Sequence, residues 1–471
     1  MKQDLLKQMR EGEKLTTGQQ IELVLKLSVP AILAQISTII MEYIDASMVG
    51  SLGADASASI GVVATTTWLI GGLAGAVGVG FTVGIAHAIG AGDDKRARRY
   101  VKSGFITVLG FAFVLMLIGI LIHKRLPVWM GGDASVIKNA SDYFLIYALS
   151  LPFMMIIHTG SGMLECSGNM KLPGIINIAL CFMDVLFNMI FIYPTRAVEI
   201  LGMKLTVPGF NMGVMGAALG TMSAEAVGTV TILLSVLVFS KKLHLRSGEK
   251  GFLGFDKWWD TVKVSLPVMG SSLIMGSAYV VSTKIVSPLG NVAISANSFA
   301  ITAESLCYMP GYGLAHAATT LVGQAKGAGR RDEEKHLSML SVYLGMLIMA
   351  GTAILLYIFA PQMIGIMTPD QRVRELGTEI LRIEALAEPM FGASIVAEGV
   401  FRGLGKTKIP SALNLISMWC VRLPLSAIAA SYLGLRGVWI IMCGELIFRG
   451  LIFLIAEKRE FGKTKNAERK I

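Results

Sequence analysis

The chain has 471 residues, 54% of them hydrophobic and 16% charged, and a mean hydropathy of +0.63. Ordinary soluble domains carry about 25% charged residues, so this composition excludes a soluble globular protein and points to one built in a bilayer. The net charge of +10 does not indicate nucleic acid, because the basic residues sit in short clusters between apolar runs and read as topology signals.

The N-terminus, "MKQDLLKQMREGEKLTTGQQ", lacks the apolar core and small-residue cleavage site of a secretory signal. The first membrane helix is therefore expected to insert uncleaved. Apolar windows then predict helices over 25–50, 58–89, 102–122, 140–164, 173–194 and 213–239, followed by 261–288, 295–325, 337–358, 376–402, 409–432 and 436–456. Runs of roughly 20 residues match the length a helix needs to cross a hydrocarbon core, whereas barrel strands would give runs near 10. The expectation is an all-α integral membrane protein with twelve transmembrane helices.

The first of these helices holds "IIMEYIDASMVG" (39–50), with Glu42 and Asp45 inside an apolar run. A charge at a membrane helix centre costs about 2.5 to 3.5 kcal/mol on insertion scales, so intramembrane acids usually mark an ion or proton pathway. Three residues apart, the two share one helix face. Two acids in one dry cavity cannot both ionise cheaply, so the pair carries a proton or is neutralised by a hard cation such as sodium. Further along, Asp184 has Asn188 one turn on, which adds amide and carboxylate oxygens to the same face. Further intramembrane ionisable residues that stand out are Glu225, Lys284, Glu304, Glu388, Glu398 and Arg422. Lys284 and Arg422 are expected either to neutralise carboxylates such as Glu304 or to snorkel. Glu398, next to "FRGLGKTK", reads as a helix-end acid paired with a basic loop.

The two halves align on each other. Pro30 matches Pro267, Leu52-Gly53 matches Leu289-Gly290, "GAG" at 90–92 matches 327–329, and "GNMKLPGIIN" at 168–177 matches "GKTKIPSALN" at 405–414, always at an offset of 237. A duplicated six-helix unit follows, with both copies entering from the same side and related by an axis along the membrane normal. The domain reading is a cytoplasmic segment 1–24, a first lobe 25–239, a cytoplasmic linker 240–260, a second lobe 261–456 and a cytoplasmic tail 457–471. Twenty-nine Lys and Arg lie in, or within two residues of, the terminal segments and even-numbered loops against 8 for the opposite loops, which places both termini in the cytoplasm.

Glycines concentrate in "GGLAGAVGVGFTVG" (71–84), where close helix packing and local bending are the two readings. The five cysteines stand singly in or beside apolar runs, and the six histidines form no ligand cluster. No nucleophile, metal or phosphate-binding constellation stands out, so no enzyme and no bound cofactor are expected. Twenty-seven methionines and 20 phenylalanines suit an adaptable apolar cavity, with Tyr308 and Met309 as candidate lining residues.

"IDASMVGSLGADA" (44–56), the two "GAG" turns, "GLAHAATTLVGQAKGAG" (313–329), "GNMKLP", "FRGLGKTKIP" and "GVMGAALGT" (213–221) resemble the multidrug and toxic compound extrusion (MATE) transporters. The resemblance runs over nearly the whole chain. It implies two six-helix lobes in a V shape and cation-driven export of organic compounds, commonly cationic and amphipathic drugs. The archaeal and DinF-like branches have a first-lobe cation site, and by motif its residues fall on Asp45, Asp184, Asn188 and Thr221, with the Ala217 carbonyl beside them. Sodium is a candidate ion at Asp45, Asp184, Asn188 and Thr221, and a proton is the other. On the fifth helix the usual Asn falls on Asp184 and the usual Asp on Asn188, so the pair is swapped. The second-lobe acids of the NorM-type branch fall on Met275 and Phe391, so that site is absent unless Glu304 or Glu388 replaces it; Glu42, Glu304, Lys284, Tyr308, Met309, Glu388 and Arg422 are the secondary candidates.

The expected function is therefore a proton- or sodium-coupled antiporter in the cytoplasmic membrane, working as a monomer in the bilayer on small organic molecules. The alternatives are a lipid-linked saccharide flippase of the same superfamily, which would favour a cationic lumen over this acidic one, and an uncoupled channel or receptor.

Overall fold

The computed structural model describes residues 5–200, 203–245 and 251–468. Residues 1–4 of the predicted N-terminal segment, 246–250 of the linker and 469–471 of the tail lie outside the described residues. In chain order the elements are α1 (Leu5–Glu11), α2 (Thr17–Gly50), α3 (Ala54–Val77), α4 (Val79–Gly90), α5 (Asp94–Ile122), the single turn α6 (Leu126–Trp129), α7 (Ala134–Cys166), α8 (Lys171–Phe191), β1 (Pro194–Ile200), β2 (Met203–Phe210), α9 (Gly213–Leu234), α10 (Phe255–Val286), α11 (Asn291–Gly327), α12 (Arg331–Met367), α13 (Gln371–Ala385), α14 (Glu388–Gly403), α15 (Lys408–Leu415) and α16 (Leu423–Glu468). A π-helical segment, Ile416–Arg422, joins α15 to α16, and α16 is broken at Gly434, where φ is 59°.

Each predicted apolar run falls on a helix. Among the described residues nine stretches are long and apolar enough to cross a membrane, and the one over Lys408–Gly462 holds both the eleventh and twelfth predicted helices. The eighth predicted helix is α11, and the tenth is split into α13 and α14 at Leu386-Ala387. Those two carry the buried Glu304, Glu384 and Glu388. The split leaves the tenth as two helices of 15 and 16 residues, each shorter than the roughly 20 residues that cross a hydrocarbon core. The antiparallel hairpin of β1 and β2 was not predicted; it occupies the connection after α8, and the fifth helix ends at Phe191 rather than 194.

The duplication is written into the backbone. Positive φ occurs at Gly53 and Gly290 (116° and 92°), Gly92 and Gly329 (74° and 69°), and Gly168 and Gly405 (95° and 69°), three pairs at the sequence offset of 237. Each pair supplies the left-handed turn between helices that only glycine adopts without strain.

By contacts the chain forms two compact units: Met1–Ile36, Ala86–Asp93 and Lys263–Ile471 in one, Ser37–Ile85 and Asp94–Val262 in the other. The larger unit has an alanine-rich core in which Ala293, Ala296, Ala300 and Ala303 of α11 pack with Leu356, Ile380 and Trp439. Small residues let helix backbones approach where lipid supplies no hydrophobic drive. A Cβ on Gly399 would meet the Ala315 carbonyl at 2.4 Å, and the Thr319 hydroxyl donates to the Gly399 carbonyl at 2.8 Å. Here too the repeat is reciprocal: a Cβ on Gly90 would meet the Gln324 carbonyl at 2.1 Å, and one on Gly327 would meet the His87 carbonyl at 2.1 Å.

The other unit is built on α5, α7, α8 and α9. Gly160 of α7 faces Ile232 of α9, and Gly216 of α9 faces the Phe191 backbone. The close-packing reading of the 71–84 glycines holds in part. Gly78 separates α3 from α4 and packs on Thr159, and Gly84 packs on the Tyr100 ring, while Gly75 faces open space.

Candidate functional site

In the unit of Ser37–Ile85 and Asp94–Val262, helices α2, α8 and α9 bring together the residues read from the sequence. Asn188 donates through Nδ2 to Asp45 Oδ1 at 2.8 Å and to Asp184 Oδ2 at 3.0 Å. The Asp45 and Asp184 carboxyls thus share one amide nitrogen. The Thr221 hydroxyl donates to the Ala217 carbonyl at 3.3 Å. Asp184 and Asn188 are fully buried. The Asn188 amide thus lies between the two acids, where its NH₂ serves both.

The close approach has a sequence cause. A Cβ on Gly220 would stand 2.0 Å from Asn188 Oδ1 and 3.0 Å from the Asn188 backbone nitrogen, so the glycine lets α9 seat against α8 at the site. Asp184 Oδ1 and Asn188 Oδ1 are buried without a hydrogen-bond partner. Leaving a buried polar atom unsatisfied costs about 1 to 3 kcal/mol, and both atoms are acceptors. The arrangement therefore suits a proton on the acid pair or a small hard cation among oxygen ligands. At the repeat-equivalent positions, 237 residues on, stand Ser282, Val421 and Leu425; this constellation belongs to the first copy alone.

Glu42, three residues before Asp45, is exposed and makes no hydrogen bond among the described residues. A neighbour that the sequence reading did not select is Glu225. It lies four residues after Thr221 and eight after Ala217, and that spacing, which puts all three on one face of α9, was the available signal. Its Oε2 is buried without a hydrogen-bond partner.

The larger unit holds a second group of acids. Glu304 of α11, Glu384 of α13 and Glu388 of α14 are buried and lie within electrostatic reach of one another. All four carboxyl oxygens of Glu384 and Glu388 lack hydrogen-bond partners. Met275 sits in an apolar cluster, and Phe391 meets Tyr308 edge-on at 5.6 Å, so acids occur in this unit at positions other than those two. Tyr308 also meets Tyr312 at 5.9 Å, whereas Met309 is a half-buried neighbour in α11 with no specific partner.

The two cations read as candidate counter-charges differ. Arg422 lies 3.9 Å from Glu445 Oε2, and the main partner of Glu445 is Arg449, through bonds of 2.7 and 2.8 Å. Lys284 is exposed and forms no ion pair among the described residues. Glu398 pairs with Arg402 and accepts from Asn414 at 3.1 Å, as its place beside the basic turn suggested. A separate groove of about 780 Å³ between α12 and α13, lined by Tyr357, Arg374, Glu375, Glu379 and Arg382 among others, contains none of the candidates.

Residues 30–190 and 267–428 match the MatE family, and the two matched segments begin 237 residues apart, the offset of the internal repeat. The chain is 25% identical over 453 residues to the probable multidrug resistance protein NorM of Thermotoga maritima, covering 94% of each chain. It is 22% identical over 422 residues to the probable multidrug resistance protein YoeA of Bacillus subtilis, covering 88% of each. Among solved structures it resembles a MATE in the straight conformation, with a TM-score of 0.87 at 20% identity over 99% of this chain and 100% of that one. A MOP superfamily transporter from Pyrococcus furiosus gives 0.87 at 19% identity over 99% of each. A duplicated all-helical membrane fold with this match over both copies identifies the chain as a multi-pass membrane protein that belongs to the MATE family.

Proposed function

We propose that the protein is an antiporter that exports organic, cationic or amphipathic compounds across the cytoplasmic membrane in exchange for protons or sodium, with both termini in the cytoplasm. The observation that carries this reading is the bridge of Asn188 between two acids from different helices, with acceptor oxygens left over. The names of the NorM and YoeA relatives support the substrate class.

Cation binding at Asp45 and Asp184 neutralises the pair and favours one arrangement of the helices; loss of the cation on the other side of the membrane favours the other. A ligand drives such a cycle only if it binds the two states differently. Substrate and cation then weaken each other's binding by one common factor. The acids Glu304 and Glu388, with Glu42, Lys284, Tyr308, Met309 and Arg422, form the secondary set for substrate contacts.

The test is ethidium transport in sealed proteoliposomes under separately imposed proton and sodium gradients, for the parent and Asp45→Asn. Uphill movement driven by one gradient and abolished by the substitution is expected. Movement that is equally fast without any gradient would overturn the antiport reading in favour of an uncoupled channel.

A further inference from the structure

The groove between α12 and α13 has no part in the exchange described above, and it lies wholly within the larger unit. Its volume is about 780 Å³, and α13 lines it with Arg374, Glu375, Thr378, Glu379 and Arg382. These positions recur at helical spacing and form one polar stripe, while Val373, Gly377, Ile380 and Leu381 of the same helix are buried. Arg436 pairs with Glu379 at 2.7 Å and neutralises that acid. Arg382 lies 5.1 Å from the centre of the Tyr357 ring and uses only its Nε, which donates to the Tyr357 carbonyl at 3.3 Å. Glu375 accepts from the Gln371 amide at 2.9 Å. Neither Arg382 nor Glu375 forms an ion pair among the described residues, so the groove presents a guanidinium and a carboxylate without charged partners.

The groove also borders lipid. α12 is long and apolar enough to cross a membrane, and beside Tyr357 its Ile354, Leu355, Ile358 and Phe359 are 49 to 61% exposed. Laid end to end, α13 and α14 are about 50 Å long at 1.5 Å per residue, against roughly 40 to 45 Å for a bilayer with its headgroup layers. The first turns of α13 therefore stand at headgroup level, where tyrosines such as Tyr357 are favoured. A guanidinium beside a lipid-facing apolar surface is costly unless it meets an anion, and arginine suits phosphate. Glu375 precedes Arg382 by seven residues, about 10 Å along the axis and nearer the loop end of α13. From water inward the groove thus offers a carboxylate, a guanidinium and an apolar surface. We propose that it binds a phosphatidylethanolamine, which presents an ammonium, a phosphate and acyl chains in that same order: Arg382 donates to the phosphate and the ammonium donates to Glu375. A choline headgroup has no N–H to donate and a glycerol headgroup carries no cation, so both match the groove less well.

The test uses the full-length protein purified in detergent and supplied with dioleoyl phosphatidylethanolamine, phosphatidylcholine or phosphatidylglycerol, with retained lipid per chain counted by native mass spectrometry. The parent is expected to retain phosphatidylethanolamine at a concentration roughly 10-fold below that needed for either other lipid, the factor that a hydrogen bond between charged groups supplies. Glu375→Gln should erase that preference and leave phosphatidylglycerol retention unchanged, whereas Arg382→Gln should weaken retention of all three about 10-fold. Glu375 is exposed, so its variant carries the test should Arg382→Gln fail to fold. Equal retention of the three lipids by the parent, tighter retention of phosphatidylglycerol, or an undiminished preference in Glu375→Gln overturns the proposal. So does displacement of the bound lipid by excess O-phosphoethanolamine, which would make the groove a site for a soluble phosphate ester. None of these outcomes bears on the antiport reading, which ethidium transport decides.

Discussion

Asn188 and Asp45, 143 residues apart in sequence, are joined by a 2.8 Å hydrogen bond in which the amide donates to the carboxylate. The same amide nitrogen holds Asp184, so a single side chain sets the spacing of the acid pair.

Removing that amide is expected to be costly in two ways. Asn188→Ala leaves buried carboxylate oxygens without their donor, a loss of about 1 to 3 kcal/mol, visible as a lower unfolding temperature of the purified protein. Gradient-driven ethidium transport should fall roughly 5- to 150-fold if the same loss falls on the cation-bound state, since 1.4 kcal/mol corresponds to a factor of ten. Full transport in Asn188→Ala would mean that the acids keep their spacing without the bridge.

Gly220→Ala should impair coupling through packing alone. Its added methyl would meet Asn188 Oδ1 at 2.0 Å, forcing α9 away from α8, with overpacking costs of about 1 to 3 kcal/mol. Gly75→Ala is the control, because nothing lies within 4 Å of the Cβ it adds. Transport assays on the two variants side by side settle the point: equal activity would show that the α8 and α9 contact is not tight.

In the larger unit, Arg449→Met should destabilise the protein by about 3 to 5 kcal/mol, because it strips Glu445 of its two-point partner inside a buried site. The double variant Glu445→Gln with Arg449→Met should recover most of that loss. Thermal unfolding of both variants checks it; a single variant as stable as the parent would mean that Arg422, 3.9 Å away, takes over the charge.

The reciprocal glycines make a prediction about symmetry. Gly90→Ala and Gly327→Ala each place a methyl about as close as 2.1 Å to a carbonyl of the other repeat copy, and a backbone atom cannot rotate away. Both should destabilise the fold, and by similar amounts. A large effect at one position with none at the other, in matched unfolding measurements, would show that the two contacts are not equivalent.

Lys284→Ala should leave stability within about 0.5 kcal/mol of the parent, as for most surface changes, since Lys284 is exposed and unpaired. An unfolding temperature shifted as far as that of Arg449→Met would assign it a hidden partner.

The sequence by itself determined what is local or periodic. Helix length and hydropathy act within one segment, so the twelve runs, the turn glycines at their 237-residue offset and the candidate acids Asp45 and Asp184 could be read directly. The hairpin after α8 could not, because short strands in a loop carry little pattern. Nor could the partners of each charge, which only the tertiary structure decided. Glu42 and Asp45 share a face in an isolated helix, yet Asn188 takes up Asp45 and leaves Glu42 without a hydrogen bond. Lys284 and Arg422 looked interchangeable, yet one is exposed and the other stands beside Glu445. The reason is physical: a buried charge is satisfied by whichever helix packs against it. That packing depends on glycines such as Gly220, whose effect is felt across the helix interface rather than along the chain.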